Sequence, residues 1–347
     1  MGVFMIPKID PVPANIPRPL WSVIIPAFER TAYLETAICS VLAQGYAPEE
    51  MQIEVVDNHS QSRQIQTIVE RLGGGRIAYY YSEKTLTMQE NWSFCLRRAK
   101  GLWVHLLHDD DFVLPGFYKR MEVAFSETAV GAAFCRHCYT NEQGQETGKS
   151  PLESETAGIL PDFLDKISSY QVVQCPSIVV KREVYEKLGG FRKDLVYAGD
   201  WEMWVRIANS FPVWYEPEPL ACYRVHKKNV TAQVFSDSGK SIAYCRKAIH
   251  IFKRYLPNSK KDNAKAAYKN YAYFGSRQCR ESLNKGDLLA ASKEFKETVI
   301  TAICGRSIRP ILRLTVVFLI RSVWLILTGS GWRKKFMNRP HNGETRL

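Results

Sequence analysis

Short apolar runs alternate with stretches of helical periodicity along the N-terminal part of the chain, and few folds accommodate that rhythm. Residues 21–26 (Trp-Ser-Val-Ile-Ile-Pro) form an apolar run closed by proline, as a strand buried on both faces requires. Leu34, Ile38, Val41 and Leu42 then recur at helical spacing until Gly45. The alternation continues with a strand at 53–56, a helix at 64–72, a strand at 77–81, a helix at 88–100 and a strand at 102–107. A β-α-β-α order of this kind predicts an α/β fold with a doubly wound, Rossmann-like, mostly parallel sheet flanked by helices. Ligands in such sheets sit beyond the carboxyl ends of the strands. The residues there are Ala27-Phe28-Glu29, Asp57-Asn58 and His108-Asp109-Asp110-Asp111, so carboxylates gather at one edge. A G-x-G-x-x-G turn does not follow the first strand, and Gly73-Gly74-Gly75 follows a helix instead, which disfavours a dinucleotide site.

The 347 residues are 46% hydrophobic and 24% charged, which excludes disordered and collagen-like chains and suggests one large domain with something smaller attached. The net charge of +12 is unevenly held. Residues 240–347 carry 23 Lys/Arg and 6 Asp/Glu, a balance of +17, against −5 for residues 1–239. Nine cysteines spread along the chain form no disulfide framework and point to a reducing compartment. Cys135 and Cys138 make one C-x-x-C in a strand-like context, and without a second pair at zinc-ribbon spacing a structural zinc is disfavoured. Pro7, Pro11, Pro13, Pro17 and Pro19 make residues 1–20 an irregular segment without a signal-peptide pattern, which leads to the expectation of a cytoplasmic protein.

Three consecutive aspartates at a strand end repel one another unless a cation joins them. Mg2+ and Mn2+ prefer oxygen ligands and suit such a cluster; a solvated acidic turn is the alternative. Several segments here resemble, in order, those of family 2 glycosyltransferases: Ser22-Val-Ile-Ile-Pro-Ala-Phe28, Val56-Asp57-Asn58, Asp109-Asp110-Asp111 with Leu114-Pro-Gly-Phe117, Leu188-Gly-Gly-Phe191, Gly199-Asp-Trp-Glu-Met-Trp204 and Tyr223-Arg-Val-His226.

The resemblance covers residues 20–230 or thereabouts. It implies a GT-A fold and inverting transfer of a sugar from a nucleotide diphosphate donor, UDP-sugar by default, with Mn2+ or Mg2+ as cofactor. By the same resemblance Pro26, Ala27, Phe28 and Glu29 border the nucleotide-sugar, and Asp57 contacts the base, where its other role is to cap the following helix. Lys84 reaches base or phosphate, and Asp109 meets the ribose. Asp110, Asp111 and His226 hold the metal, and Arg224 closes on the diphosphate. Asp200 is the implied catalytic base, with Glu202 as the alternative and helix capping as the structural role. Two departures stand out: Gly199 replaces a Glu usual beside the base, and His108 stands where many relatives have Asp. The turn 188–191 is expected to shape the acceptor side.

A GT-A domain is therefore expected over 21–239, a helical C-terminal region over 240–305, and a basic, apolar, membrane-associating segment and tail over 306–347. Residues 266–300 faintly resemble one tetratricopeptide-like helix pair, and a packing hairpin is the plainer reading. The apolar run 310–328 is broken by Arg313 and Arg321, about 80° apart on a helix, and falls short of the roughly 18 apolar residues of a spanning helix. With Arg306, Arg309 and Arg333-Lys334-Lys335 flanking it, the run fits a helix lying on an anionic, cytoplasmic membrane face; a core helix or an oligomer contact is the alternative. Such a location leads to the expectation of a saccharide or lipid-linked saccharide acceptor in surface polysaccharide assembly. The rival readings are a non-catalytic GT-A-fold binding or scaffold protein, and a nucleic-acid-binding protein, the latter disfavoured because no nucleic-acid module is recognisable.

Overall fold

The computed structural model describes residues 6–307 and 309–328. Strands β1 (Trp21–Ala27), β2 (Met51–Asp57), β3 (Ala78–Tyr81) and β4 (Trp103–Leu106) run parallel, linked by helices α1 (Leu34–Leu42), α2 (Gln64–Gly73) and α3 (Met88–Arg98). Their spatial order is β3-β2-β1-β4, so the winding reverses between β1 and β4 and opens a crevice at their carboxyl ends. Burial on both faces explains why β1 reads as a continuous apolar run. Val23 and Ile25 pack towards α1 and α2, whereas Ile24 faces the core shared with α3. Helix α3 starts at a capping box in which Thr87 and Glu90 bond each other's backbone N–H.

Beyond β4 the sheet becomes mixed, where the sequence rhythm led to the expectation of mostly parallel pairing. The further strands are β5 (Phe112–Val113), β6 (Ala132–Thr140), β7 (Glu146–Lys149), β8 (Gly158–Ile159), β9 (Ile178–Lys181) and β10 (Val213–Arg224). Strand β9 sits antiparallel between β4 and β6, while β10 pairs parallel to β6 and antiparallel to β5. The connections here are not regular β-α-β crossovers, so periodicity gave no register for them. Helices α4 (Phe117–Met121), α5 (Phe163–Ser169), α6 (Arg182–Leu188), α7 (Gly199–Ala208) and α8 (Val230–Ser236) cover this half.

Four longer helices complete the described residues: α9 (Lys240–Phe252), α10 (Lys261–Lys285), α11 (Leu288–Cys304) and α12 (Arg309–Thr328). Helices α9 and α10 share the core of the sheet, whereas α11 and α12 meet α10 in a separate small cluster. Trp201 of α7 is fully buried, donates from Nε1 to the Ile167 carbonyl at 2.6 Å, and packs its ring against Phe252 of α9 and Tyr271 of α10 at centroid distances of 5.1 and 4.9 Å. Helices α10 and α11 form an antiparallel hairpin, and α12 lays Leu314, Val317 and Phe318 on it. No described helix is long and apolar enough to cross a membrane. The basic tail from residue 329 lies outside the described residues.

The proline-rich segment before β1 is irregular but pinned, because Gly190 N–H donates to the Pro7 carbonyl and Arg182 Nη2 to that of Asp10. At the 188–191 turn a Cβ on Gly189 would lie 2.5 Å from Ile6 and one on Gly190 2.7 Å from Ser93 Oγ, so both glycines are required by close packing. An equally close approach occurs at Gly101, where a Cβ would lie 2.5 Å from backbone atoms of Trp21 and Ser22 in β1. Gly101→Ala is expected to lower unfolding stability by about 2–3 kcal/mol in urea denaturation, since the obstruction is backbone and cannot rotate away.

Candidate active site

A cavity of about 550 Å³ opens at the carboxyl ends of β1 and β4. Pro26, Ala27, Phe28 and Glu29 form one wall, Asp109 and Asp110 the floor, and Asp200 borders the far side. The rims are held in unusual backbone conformations. Glu29, His59 and Ala198, none of them glycine, have φ of +56°, +67° and +61°, and strain of this kind is tolerated where surrounding bonds fix the chain. Such bonds are present: Glu29 N–H donates to Ser60 Oγ and Gln61 N–H to Glu29 Oε1, lacing the loop after β1 to the loop after β2.

The aspartates are almost wholly buried. Burial, together with the neighbouring Asp110 charge, pushes Asp109 up to about 7 and raises Asp111 well above the usual carboxylate range. Burial acts on Asp110 as well, but the His226 hydrogen bond and the Arg30 charge outweigh it and hold that carboxyl down at about 2. The cluster is therefore short of positive charge. Asp109 Oδ2, Asp111 Oδ2 and His108 Nε2 are buried without a hydrogen-bond partner. His108, Asp110 and Asp111 each offer a ligand atom, all within 4.8 Å of one another, so these residues fit a divalent cation. Desolvation holds His108 down at about 4, neutral as a metal ligand must be, and its ring stacks on Trp92 at 4.8 Å.

Asp200 stands at the first turn of α7 but does not cap it; the cap position is Ala198, without a side-chain bond. Its Oδ2 accepts from Gln171 Nε2 at 3.1 Å. Desolvation raises its pKa against the lowering effect of nearby backbone N–H groups and Gln171, which suits a carboxylate that must take up a proton. Glu202, the alternative base, is fully buried, bonded to Arg206 at 3.1 Å and to Tyr255 OH at 3.1 Å, and is not at the cavity.

Other expected contacts are placed differently. Asp57 is fully buried and outside the cavity: Oδ1 accepts the Ser60 amide at 2.9 Å and Oδ2 the Tyr79 hydroxyl at 2.8 Å, so it performs a turn-capping role. Its neighbour Asn58 lines the cavity and fixes the loop after β3 through both polar groups of Leu86. Lys84 is exposed on that loop, away from the cavity. Arg224, expected at the diphosphate, is buried behind the aspartate turn. Its Nε donates to the Asp110 carbonyl, its Nη1 to those of Asn141 and Glu142, and its N–H to Asp111 Oδ1. Arg224 thus shapes the turn and has little left for a ligand. His226 Nε2 lies 3.0 Å from Asp110 Oδ2, and because its Nδ1 accepts the Lys228 amide, the bonding assigns the proton to Nε2.

Arg30 is the cation that reaches the cluster, with Nη2 2.7 Å from Asp109 Oδ1 and Nη1 2.9 Å from Asp110 Oδ2. Sequence reasoning passed over it because an arginine in a loop has no periodic signal. His108 was noticed only as a departure, although an imidazole among carboxylates was itself the clue.

Residues 22–189 match the profile of "Glycosyl transferase family 2". An uncharacterised glycosyltransferase of Haemophilus influenzae is 23% identical over 81% of this chain and 94% of its own length. A protein of Mycobacterium tuberculosis, MT1568, is 26% identical over 65% of this chain and 73% of its own. Among solved structures, S. aureus TarS 1-349 in complex with UDP-GlcNAc is similar with a TM-score of 0.61 at 13% identity, over 80% of this chain and 81% of that one. The mannosyltransferase PcManGT from Pyrobaculum calidifontis, in complex with GDP-Man and Mn2+, gives 0.51 at 18% identity over 86% and 89%. At such identities the structural likeness establishes the fold, which is GT-A-like. The matched segment, residues 22–189, holds the strand-end crevice and its aspartates, and in it the chain is similar to glycosyl transferase family 2.

Proposed function

We propose that the protein is a metal-dependent, inverting glycosyltransferase that moves a sugar from a nucleotide diphosphate donor, a UDP-sugar by default, to a hydroxyl of a saccharide or lipid-linked saccharide in surface polysaccharide or glycan assembly. The observation that carries this reading is one cavity with two kinds of carboxylate: a buried, cation-seeking cluster on its floor and, across it, an Asp200 with a raised pKa. The UDP-GlcNAc complex of TarS and the GDP-Man and Mn2+ complex of PcManGT support a nucleotide-sugar donor and a divalent cation for the same fold.

In this reading Pro26 to Glu29 border the donor, Asp109 meets the ribose, and Asp110 and Asp111, with His108, hold the cation. When bound, such a cation supplies Lewis-acid neutralisation of the leaving diphosphate. His226 keeps its hydrogen bond to Asp110 and steadies that carboxylate, which narrows its expected role to positioning. As the acceptor oxygen bonds to the anomeric carbon, the bond from that carbon to the diphosphate breaks with its electron pair. The hydroxyl proton passes to Asp200, which Gln171 orients. Attack from the side opposite the diphosphate inverts the configuration.

The apolar face of α12 supports a membrane-surface location. Leu312, Val316, Leu319, Ile320 and Val323 are each more than half exposed and fall within about 100° of helical arc. They lie opposite the face that meets the hairpin, in the part of the chain with a balance of +17. An amphipathic helix with cationic surroundings matches an anionic bilayer.

Transfer from a UDP-sugar is expected to stop on chelation of divalent metal, and Asp110→Asn and Asp200→Asn are each expected to lower kcat by about 100-fold or more. Activity untouched by these changes would sink the mechanism. Because the base form of Asp200 exists only above its raised pKa, kcat/KM should fall with pH at a midpoint above the ordinary 3.8. Gln171→Ala, which removes a bond to the carboxylate, should move that midpoint to higher pH.

Sedimentation with phosphatidylglycerol vesicles, and not with phosphatidylcholine vesicles, is expected for the full chain, and Val316→Asp with Ile320→Asp should abolish it. Equal sedimentation with both lipids, or none with either, would refute the membrane reading.

A further inference from the structure

Arg30 places its guanidinium against two of the three carboxylates of the cluster. One planar fork spans two carboxylates, at 2.7 Å to Asp109 and 2.9 Å to Asp110, and Nη1 also lies 3.5 Å from the Lys228 carbonyl in the loop after β10. The side chains of Asp109 and Asp110 are 4% and 10% accessible, against 30% for Arg30, so the charges meet largely out of water but at the cavity mouth. Asp110 Oδ2 already accepts from His226, and with Arg30 in place that oxygen is bonded on two sides.

We propose that Arg30 is a tethered cation at the edge of the metal position of the free protein, so that a divalent cation and the guanidinium compete for Asp110, the carboxylate common to the arginine fork and to the candidate ligands His108, Asp110 and Asp111. The proposal rests on reading the cluster as a metal site. A monovalent and a divalent cation cannot share the Asp110 carboxylate at contact distance without strong repulsion, and partial burial leaves that repulsion poorly screened. Metal entry therefore requires the fork to leave. It has somewhere to go, because Arg30 itself lines the cavity in which a nucleotide diphosphate would lie, and its fork suits phosphate as well as carboxylate. Released from the aspartates, Arg30 joins the diphosphate. Metal and nucleotide diphosphate accordingly bind with positive cooperativity, each favouring the same displaced arginine.

The test measures Mn2+ binding to nucleotide-free protein, by electron paramagnetic resonance of the unbound ion, for the wild type, Arg30→Ala and Arg30→Lys. Arg30→Ala is expected to bind Mn2+ about tenfold or more tightly than the wild type, with Arg30→Lys in between, because an ammonium does not bridge both carboxylates as the fork does. Uridine diphosphate should tighten Mn2+ binding by the wild type far more than by Arg30→Ala. Equal or weaker Mn2+ binding by Arg30→Ala would overturn the competition while leaving the metal site in place. Arg30→Lys indistinguishable from the wild type, beside a tight Arg30→Ala, would reduce the effect to net charge and overturn the bridging seat. Failure of every form, with or without uridine diphosphate, to bind Mn2+ would remove the metal reading and the competition together.

Discussion

The site is organised around one electrostatic constraint: three adjacent carboxylates sit at a strand end with almost no access to water. Their ionised forms are incompatible without nearby cations and donors, and the surrounding elements are arranged to supply them. The Arg224 guanidinium and amide secure the turn from behind, His226 bonds Asp110 from the side, and Arg30 reaches in from the loop after β1. Even so, burial first and the Asp110 charge second keep Asp109 and Asp111 shifted towards their neutral forms.

The first four strands and three helices could be read from the sequence, because burial on both faces and helical crossovers leave periodic signatures that survive without knowledge of partners. The location of the cavity was readable for the same reason: the order β3-β2-β1-β4 forces a crevice where carboxylates were seen to collect. Side-chain direction was not. Asp57 and Asn58 are neighbours, yet the first is turned into the fold by Ser60 and Tyr79 while the second borders the cavity. Arg224 lies behind the aspartate turn and the unanticipated Arg30 in front of it, because the acceptors each guanidinium meets come from loops brought together only in three dimensions. The mixed half of the sheet was opaque for a related reason, since its strand pairings span long separations without a repeating connection.

Residues 22–189, which match the family profile, stop short of the proposed base. Asp200, His226 and the C-terminal helices lie beyond that segment, so the proposed metal-binding floor and the proposed base are built by different parts of the chain. Local folding alone does not place Asp200. Its helix is held by the buried Trp201, whose ring is clasped by Phe252 and Tyr271.

That aromatic clasp makes the C-terminal helices a lever as well as a support. The hairpin that carries the apolar face of α12 shares helix α10 with the clasp, so a tilt of the helical region relative to the sheet must be absorbed at Trp201, one residue from Asp200. Close-packed rings have little slack to absorb it. In the proposed function, a surface that orients α12 thereby also sets the attitude of the Asp200 carboxylate, and the distance between the proposed docking face and the proposed base is bridged by three aromatic rings.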